Sequence, residues 1–101
     1  MEAPPLTWPR KQIEQFCKRH HIRRLSLFGS VLTPRFRSES DVDVLVEFEP
    51  RSVPGYFDLA GMEIELSGLV GRKVDLRTPQ ELSPFFRKEV VEAASVQYEQ
   101  G

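Results

Sequence analysis

The chain has 101 residues with 14 Lys and Arg against 15 Asp and Glu, a formal net charge of −1, and 40% hydrophobic residues. That size fits one domain spanning 1–101 with a modest core, with 1–6 as a loose N-terminus. No apolar run reaches the ~20 residues of a membrane helix, and near-neutral, scattered charge argues against gripping nucleic acid by its phosphates.

Met1 to Pro5 lack the basic and apolar regions of a signal peptide, so no membrane association and a cytoplasmic setting are expected. Thr7 is placed to cap a first helix, with Pro9 in its first turn and Ile13, Phe16 and Cys17 at helical spacing, running to about His21. Cys17, the single cysteine, reads as a buried helix position in a reducing compartment. The cations between Lys18 and Arg24 read as a solvated helix end, which the helix dipole favours. His20 and His21 are adjacent and do not face each other on a helix, so they serve a metal poorly.

A first strand is expected over 25–28. It ends at Gly29-Ser30, where Ser30, Val31 and Leu32 can start a short helix, and a loop over 33–40 leads to a second strand at 42–48. A turn over 51–55 precedes a helix over 56–69 whose apolar spacing marks Phe57, Ala60 and Ile64, with Leu59, Met62 and Leu66, as its packing side. Gly68 or Gly71 closes it. Over 72–77, Val74 and Leu76 alternate with Lys73, Asp75 and Arg77, which makes a third strand. Ser83-Pro84 resembles an N-cap and first helical position, opening a helix to about Ala94 that packs on the sheet through Phe85, Phe86, Val90 and Val91. Tyr56, Phe57 and Phe86 are the candidates for an exposed aromatic anchor. A short extended piece at 96–98 completes an α/β chain, with one small central sheet flanked by helices.

Chemistry concentrates where Gly29-Ser30 is followed after ten residues by Asp41-Val42-Asp43. Side chains two apart on a strand share a face, so Asp41 and Asp43 can grip one cation. Neighbouring carboxylates resist joint ionisation unless a positive charge lies between them, and Mg²⁺ typically takes one or two carboxylates plus substrate phosphates. Glycine lets the backbone approach a phosphate, and a helix start offers free N–H groups to an anion. A metal–nucleoside triphosphate suits both halves.

This Gly-Ser-x10-Asp-x-Asp pattern, continued by Val44-Leu45-Val46-Glu47-Phe48, by the segments from Phe57 to Leu66 and Gly71 to Leu76, and by Leu82-Ser83-Pro84-Phe85-Phe86-Arg87, resembles the minimal nucleotidyltransferases of the DNA polymerase beta superfamily. The resemblance implies the nucleotidyltransferase fold, with Asp75 as the third carboxylate of a two-ion Mg²⁺ site and Gly29 and Ser30 clasping the β- and γ-phosphates of ATP. It implies an enzyme that moves AMP to an acceptor hydroxyl and releases pyrophosphate. The implied setting is an antitoxin that modifies a tyrosine of a HEPN-domain toxin. The alternatives are a non-catalytic antitoxin that masks the toxin by contact, and a small-molecule adenylyltransferase. Many relatives carry a basic residue where this chain has Val31, so Arg35 or Arg37 would have to reach the triphosphate from another place.

Overall fold

The computed structural model describes residues 8–37 and 39–100, so the expected cap at Thr7 and the terminus 1–6 lie outside the described residues. Strand β1 (Ile22–Phe28) follows helix α1 (Arg10–Arg19), and a 3₁₀ turn over Gly29–Leu32 and a loop lead to β2 (Val42–Phe48). Helix α2 (Tyr56–Val70) returns the chain to β3 (Val74–Arg77), and α3 (Arg87–Ala93) leads to β4 (Ser95–Glu99). The four strands form one mixed sheet in the order β3-β2-β1-β4. β1 is antiparallel to β2 and β4, while β2 and β3 are parallel and joined by α2.

Strand alternation decides which face is covered. Leu25, Leu27, Val42, Val44, Val46 and Val74 point to the face packed by Ile13, Phe16 and Cys17 of α1 and by Met62, Leu66 and Val70 of α2. The intervening positions, including Asp43 and Asp75, belong to the other face. α1 ends at Arg19, and His21 takes a left-handed conformation (φ 58°) that turns the chain at once into β1. The strand therefore begins at Ile22, upstream of the expected start. Lys73 precedes β3, its carbonyl accepting the Val42 N–H at 2.9 Å.

Two packing expectations are corrected. Phe57 and Ile64, expected on the packing side of α2, are 92% and 74% exposed, and Ala60 is exposed with them. The helix is apolar nearly all round, so spacing allowed two faces, and the sheet covers the row Met62, Leu66 and Val70. Flanking polar contacts settle the choice: Ser67 Oγ accepts the Val74 N–H at 2.9 Å and Glu63 Oε2 accepts the Leu76 N–H at 2.8 Å. Gly71 ends the helix in a left-handed conformation (φ 76°). The last helix starts at Arg87 rather than at Ser83-Pro84. Ser83 begins a preceding turn instead, its carbonyl accepting the N–H groups of Phe86 and Arg87. Phe85 and Phe86 point to solvent and Val90 and Val91 are only half-buried, so no residue of α3 is buried. An arginine fastens this region in their place: the Arg87 guanidinium donates to the carbonyls of Pro79 (2.7 Å), Gln80 (3.2 Å) and Leu82 (3.1 Å).

Among the described residues no helix is long and apolar enough to cross a membrane.

Candidate active site

The antiparallel ladder of β1 and β2 places Phe28 opposite Asp43, and the parallel ladder of β2 and β3 places Asp75 opposite Asp43 on its other side. The end of β1, the body of β2 and the edge strand β3 thus bring the Gly-Ser turn and two carboxylates to one end of the sheet. Asp41 lies just before β2 rather than inside it, and its carboxylate faces Lys73 Nζ at 3.8 Å.

Gly29 is required by two features at once. Its φ of +76° lies in the left-handed region, and a Cβ built there would fall 2.3 Å from Asp43 Oδ2. The turn therefore packs directly against the carboxylate. The Ser30 backbone N–H also acts on the Asp43 carboxyl, favouring its charged form. That donor, expected to face a phosphate, lies on the turn whose Gly29 packs against the same carboxylate.

Burial first, then the charges of Asp75 and of Asp41, hold the Asp43 carboxyl above its ordinary value, against Arg77 and the Ser30 N–H, which pull it down. Three carboxylates thus bear on one cleft, with Lys73 beside Asp41 and Arg77 beside Asp43 as the cations near them. As the side chains stand, no group of three His, Cys, Asp or Glu among the described residues is arranged to hold a metal ion. The donor chemistry nevertheless fits a hard cation, since the three groups are carboxylates that repel one another. A cation at the centre would offset the repulsion that holds Asp43 up.

Asp75 is fixed from outside the cleft. β3 is an edge strand, yet the N–H groups on either side of Asp75, those of Val74 and Leu76, are taken by Ser67 and Glu63 of α2, and the Thr78 N–H by Glu81 Oε1 at 2.8 Å. Ser67 Oγ also donates to the Glu63 carbonyl at 2.8 Å, locking the two helix positions together. Ahead of Asp41, the Arg72 guanidinium lies 4.3 Å from the centre of the buried Phe36 ring and donates to the carbonyls of Arg37 and Ser40. Arg72 therefore anchors the loop that delivers Asp41. Arg35 and Arg37, proposed from sequence to reach a triphosphate, are exposed on this loop.

Sequence reasoning missed Glu63, Ser67, Arg72 and Arg77. Arg77 had a readable signal, because it lies two residues after Asp75 and shares its face of the strand. Glu63 had a weaker one, as an acid within an apolar helix. The cations between Lys18 and Arg24 are paired with carboxylates: Lys18 with Glu14, Arg19 with Glu65, Arg23 with Glu47, and Arg24 with Glu47 and Glu99.

A cavity of about 310 Å³ opens beside Asp75, between the N-terminal half of α2 (Tyr56, Leu59, Ala60, Glu63) and the outer edge of β3. A second, more apolar cavity of about 540 Å³ touches Gly29 and is walled by Phe28, Leu32, Phe86 and Val90.

The sequence pattern of the Nucleotidyltransferase domain family matches residues 9–96. A protein of Thermococcus cleftensis named protein adenylyltransferase MntA is 31% identical over 86 residues, which is 85% of this chain and 82% of that protein. A solved structure described provisionally as a minimal nucleotidyltransferase is 35% identical with a TM-score of 0.70, covering 84% of this chain and 85% of the other. A complex of a tri-AMPylated Shewanella oneidensis HEPN toxin with its MNT antitoxin matches in fold, with a TM-score of 0.64 at 17% identity over 90% of this chain and 70% of the other.

Proposed function

The chain belongs to the nucleotidyltransferase domain family, and from that membership we propose that it is a magnesium-dependent protein adenylyltransferase, the antitoxin of a pair with a HEPN-domain toxin, transferring AMP from ATP to a tyrosine hydroxyl of that partner. The observation that carries this reading is the register that sets Asp75 opposite Asp43, with the Gly29-Ser30 turn packed on the same carboxylate. The name of the Thermococcus relative and the modified toxin in the Shewanella complex support the reaction and the partner class.

Asp41, Asp43 and Asp75 would hold the metal, two ions by family resemblance, which when bound neutralises charge on the attacking and leaving oxygens. Gly29 leaves room for the β- and γ-phosphates, and Ser30 offers its hydroxyl. Its N–H would be a second donor toward those phosphates. The acceptor oxygen attacks the α-phosphorus, the bond from that phosphorus to the oxygen bridging the α- and β-phosphates breaks, and pyrophosphate leaves with the electron pair. The hydroxyl proton passes to the Asp75 carboxylate. Little covalent work falls to the protein, because phosphoryl-type transfer is mainly positioning and charge stabilisation.

Thermal unfolding with and without Mg-ATP tests the binding half of this reading. Mg-ATP should raise the Tm by mass action, and Asp41→Asn combined with Asp43→Asn should remove the magnesium-dependent part with the fold intact. A double variant that responds as the parent does overturns the assignment of the metal to these residues.

A further inference from the structure

We infer that the outer face of α2 pairs two copies of this chain, with the two helices antiparallel across a two-fold axis. Apart from Tyr56 and Asp58 at its start, the exposed residues of α2 form one row: Phe57, Ala60, Gly61, Ile64 and Gly68. None of the five carries a polar side chain, and a helix that is apolar on both faces is normally covered on both. The carboxylates that flank the row do not shield it. Glu63 is turned to the Leu76 N–H, and Glu65 to Arg19 and His20. The two glycines point the same way. A Cβ at Gly61 or Gly68 meets nothing within 4 Å among the described residues, so the packing within the chain does not call for a glycine at either place. Glycine inside a helix is nonetheless less stable there than alanine. A close approach from outside the chain accounts for both.

The row fits a second copy of itself. Phe57, Gly61, Ile64 and Gly68 follow in steps of four, three and four residues, the spacing of a helix–helix seam, with large residues and glycines alternating. In an antiparallel pair centred between Gly61 and Ile64, Phe57 of each copy lies opposite Gly68 of the other, and Ile64 opposite Gly61. Every large side chain then enters a hole, as an isologous interface requires. A parallel pair would set Phe57 on Phe57 and glycine on glycine. Charge agrees with the antiparallel sense: Asp58 of one copy comes to the flank where Arg19 and His20 of the other hold Glu65, whereas a parallel pair would set Asp58 against Asp58. A net charge of −1 lets the copies approach without strong repulsion. Phe57 offers about 150 Å² of surface, counted twice in a symmetric pair, and the exposed Tyr56, Ile64 and Val53 extend the apolar area on both copies. The total approaches the roughly 1,000 Å² at the low end of stable interfaces, so the pair should form in a concentration-dependent way.

Sedimentation equilibrium of the full chain over a concentration series tests this. The parent should move from 11.7 kDa toward twice that mass as concentration rises. Gly61→Gln with Gly68→Gln should raise the dimer dissociation constant tenfold or more with the circular dichroism unchanged, because both positions are open in the single chain. Gly68→Phe alone should weaken the pair likewise, and adding Phe57→Ala should restore much of the association by exchanging the large residue and the hole. A parent that stays at the single-chain mass throughout would overturn the inference, as would a dimer that the glycine variants leave intact. If the parent is monomeric and the glycine variants lose capture of a HEPN-domain partner, the face belongs to that partner and not to a second copy.

Discussion

Gly29→Ala and Gly71→Ala form a matched pair that separates backbone strain from damage to the site. Both glycines have φ near +76°, but a Cβ at Gly71 meets nothing within 4 Å, whereas at Gly29 it would fall 2.3 Å from Asp43 Oδ2. A left-handed conformation costs a non-glycine residue about 1–2 kcal/mol, offset by about 0.4–1 kcal/mol from the stiffer unfolded chain. Each variant should therefore lose about 1 kcal/mol, which is a Tm lower by roughly 4–8 °C for a domain of this size. The atom that Gly29→Ala displaces is the tip of a rotatable carboxylate, so its extra stability cost is small while its effect on the site is large. Mg-ATP at 100 times its dissociation constant should return about 2.7 kcal/mol to the parent and to Gly71→Ala, and little to Gly29→Ala. The assay is a pair of melting curves per protein, without and with saturating Mg-ATP. Equal nucleotide-dependent shifts in both variants would refute the proposal that the carboxylate packed against this turn holds the metal.

Glu63→Ala should lower AMP transfer tenfold or more, because the Leu76 N–H beside Asp75 loses its acceptor, and Glu63→Gln, which keeps an acceptor oxygen, should restore most of it; equal rates in the two would remove Glu63 as a positioning residue. The Glu65 carboxyl is held below its ordinary value first by its hydrogen bond from Arg19 and also by His20, so it contributes stability above about pH 4.5 that is lost as pH falls through its lowered value. Glu65→Gln should flatten that part of the acid limb in a series of melting curves, and an unchanged limb would contradict the pairing. Burial pushes the Cys17 thiol up to about 12, so iodoacetamide labelling at pH 8 should be negligible in the folded chain and should track unfolding in denaturant; rapid labelling without denaturant would contradict the packed position of Cys17 under the sheet.

The motif was legible because its spacing is local. Gly29-Ser30 and Asp41-Val42-Asp43 flank a single loop, and the alternation of hydrophobic residues over 42–48 set the strand that aligns them. Asp75 was legible by family resemblance, and the register shows why the position matters: it faces Asp43 across a parallel ladder. What stayed hidden depends on contacts distant in sequence. The face of α2 could not be chosen from spacing, since Phe57 and Ile64 are as apolar as Met62 and Leu66, and the choice came with Glu63 and Ser67 reaching the free edge of β3. Ser83-Pro84 carries a helix-start signature and does open a hydrogen-bonded turn, but the helix proper starts at Arg87, whose guanidinium gathers three upstream carbonyls. Arg72 was read as the first residue of the third strand; the strand starts at Val74, and the contacts of Arg72 with Phe36 and the carbonyls of Arg37 and Ser40 place it under the loop that delivers Asp41.

The central claim, that this carboxylate cleft transfers AMP to a protein hydroxyl, is tested most directly by the intact mass of a HEPN-domain partner after incubation with Mg-ATP and either the parent chain or Asp75→Asn. Asp75→Asn is nearly isosteric and removes a charge needed as the acceptor oxygen attacks, so partner capture should persist. The account predicts one or more added adenylyl groups with the parent and none with Asp75→Asn, both proteins still binding the partner. A parent that binds the partner and never adds the adenylyl mass, or an Asp75→Asn variant that adds it as fast as the parent, would contradict it.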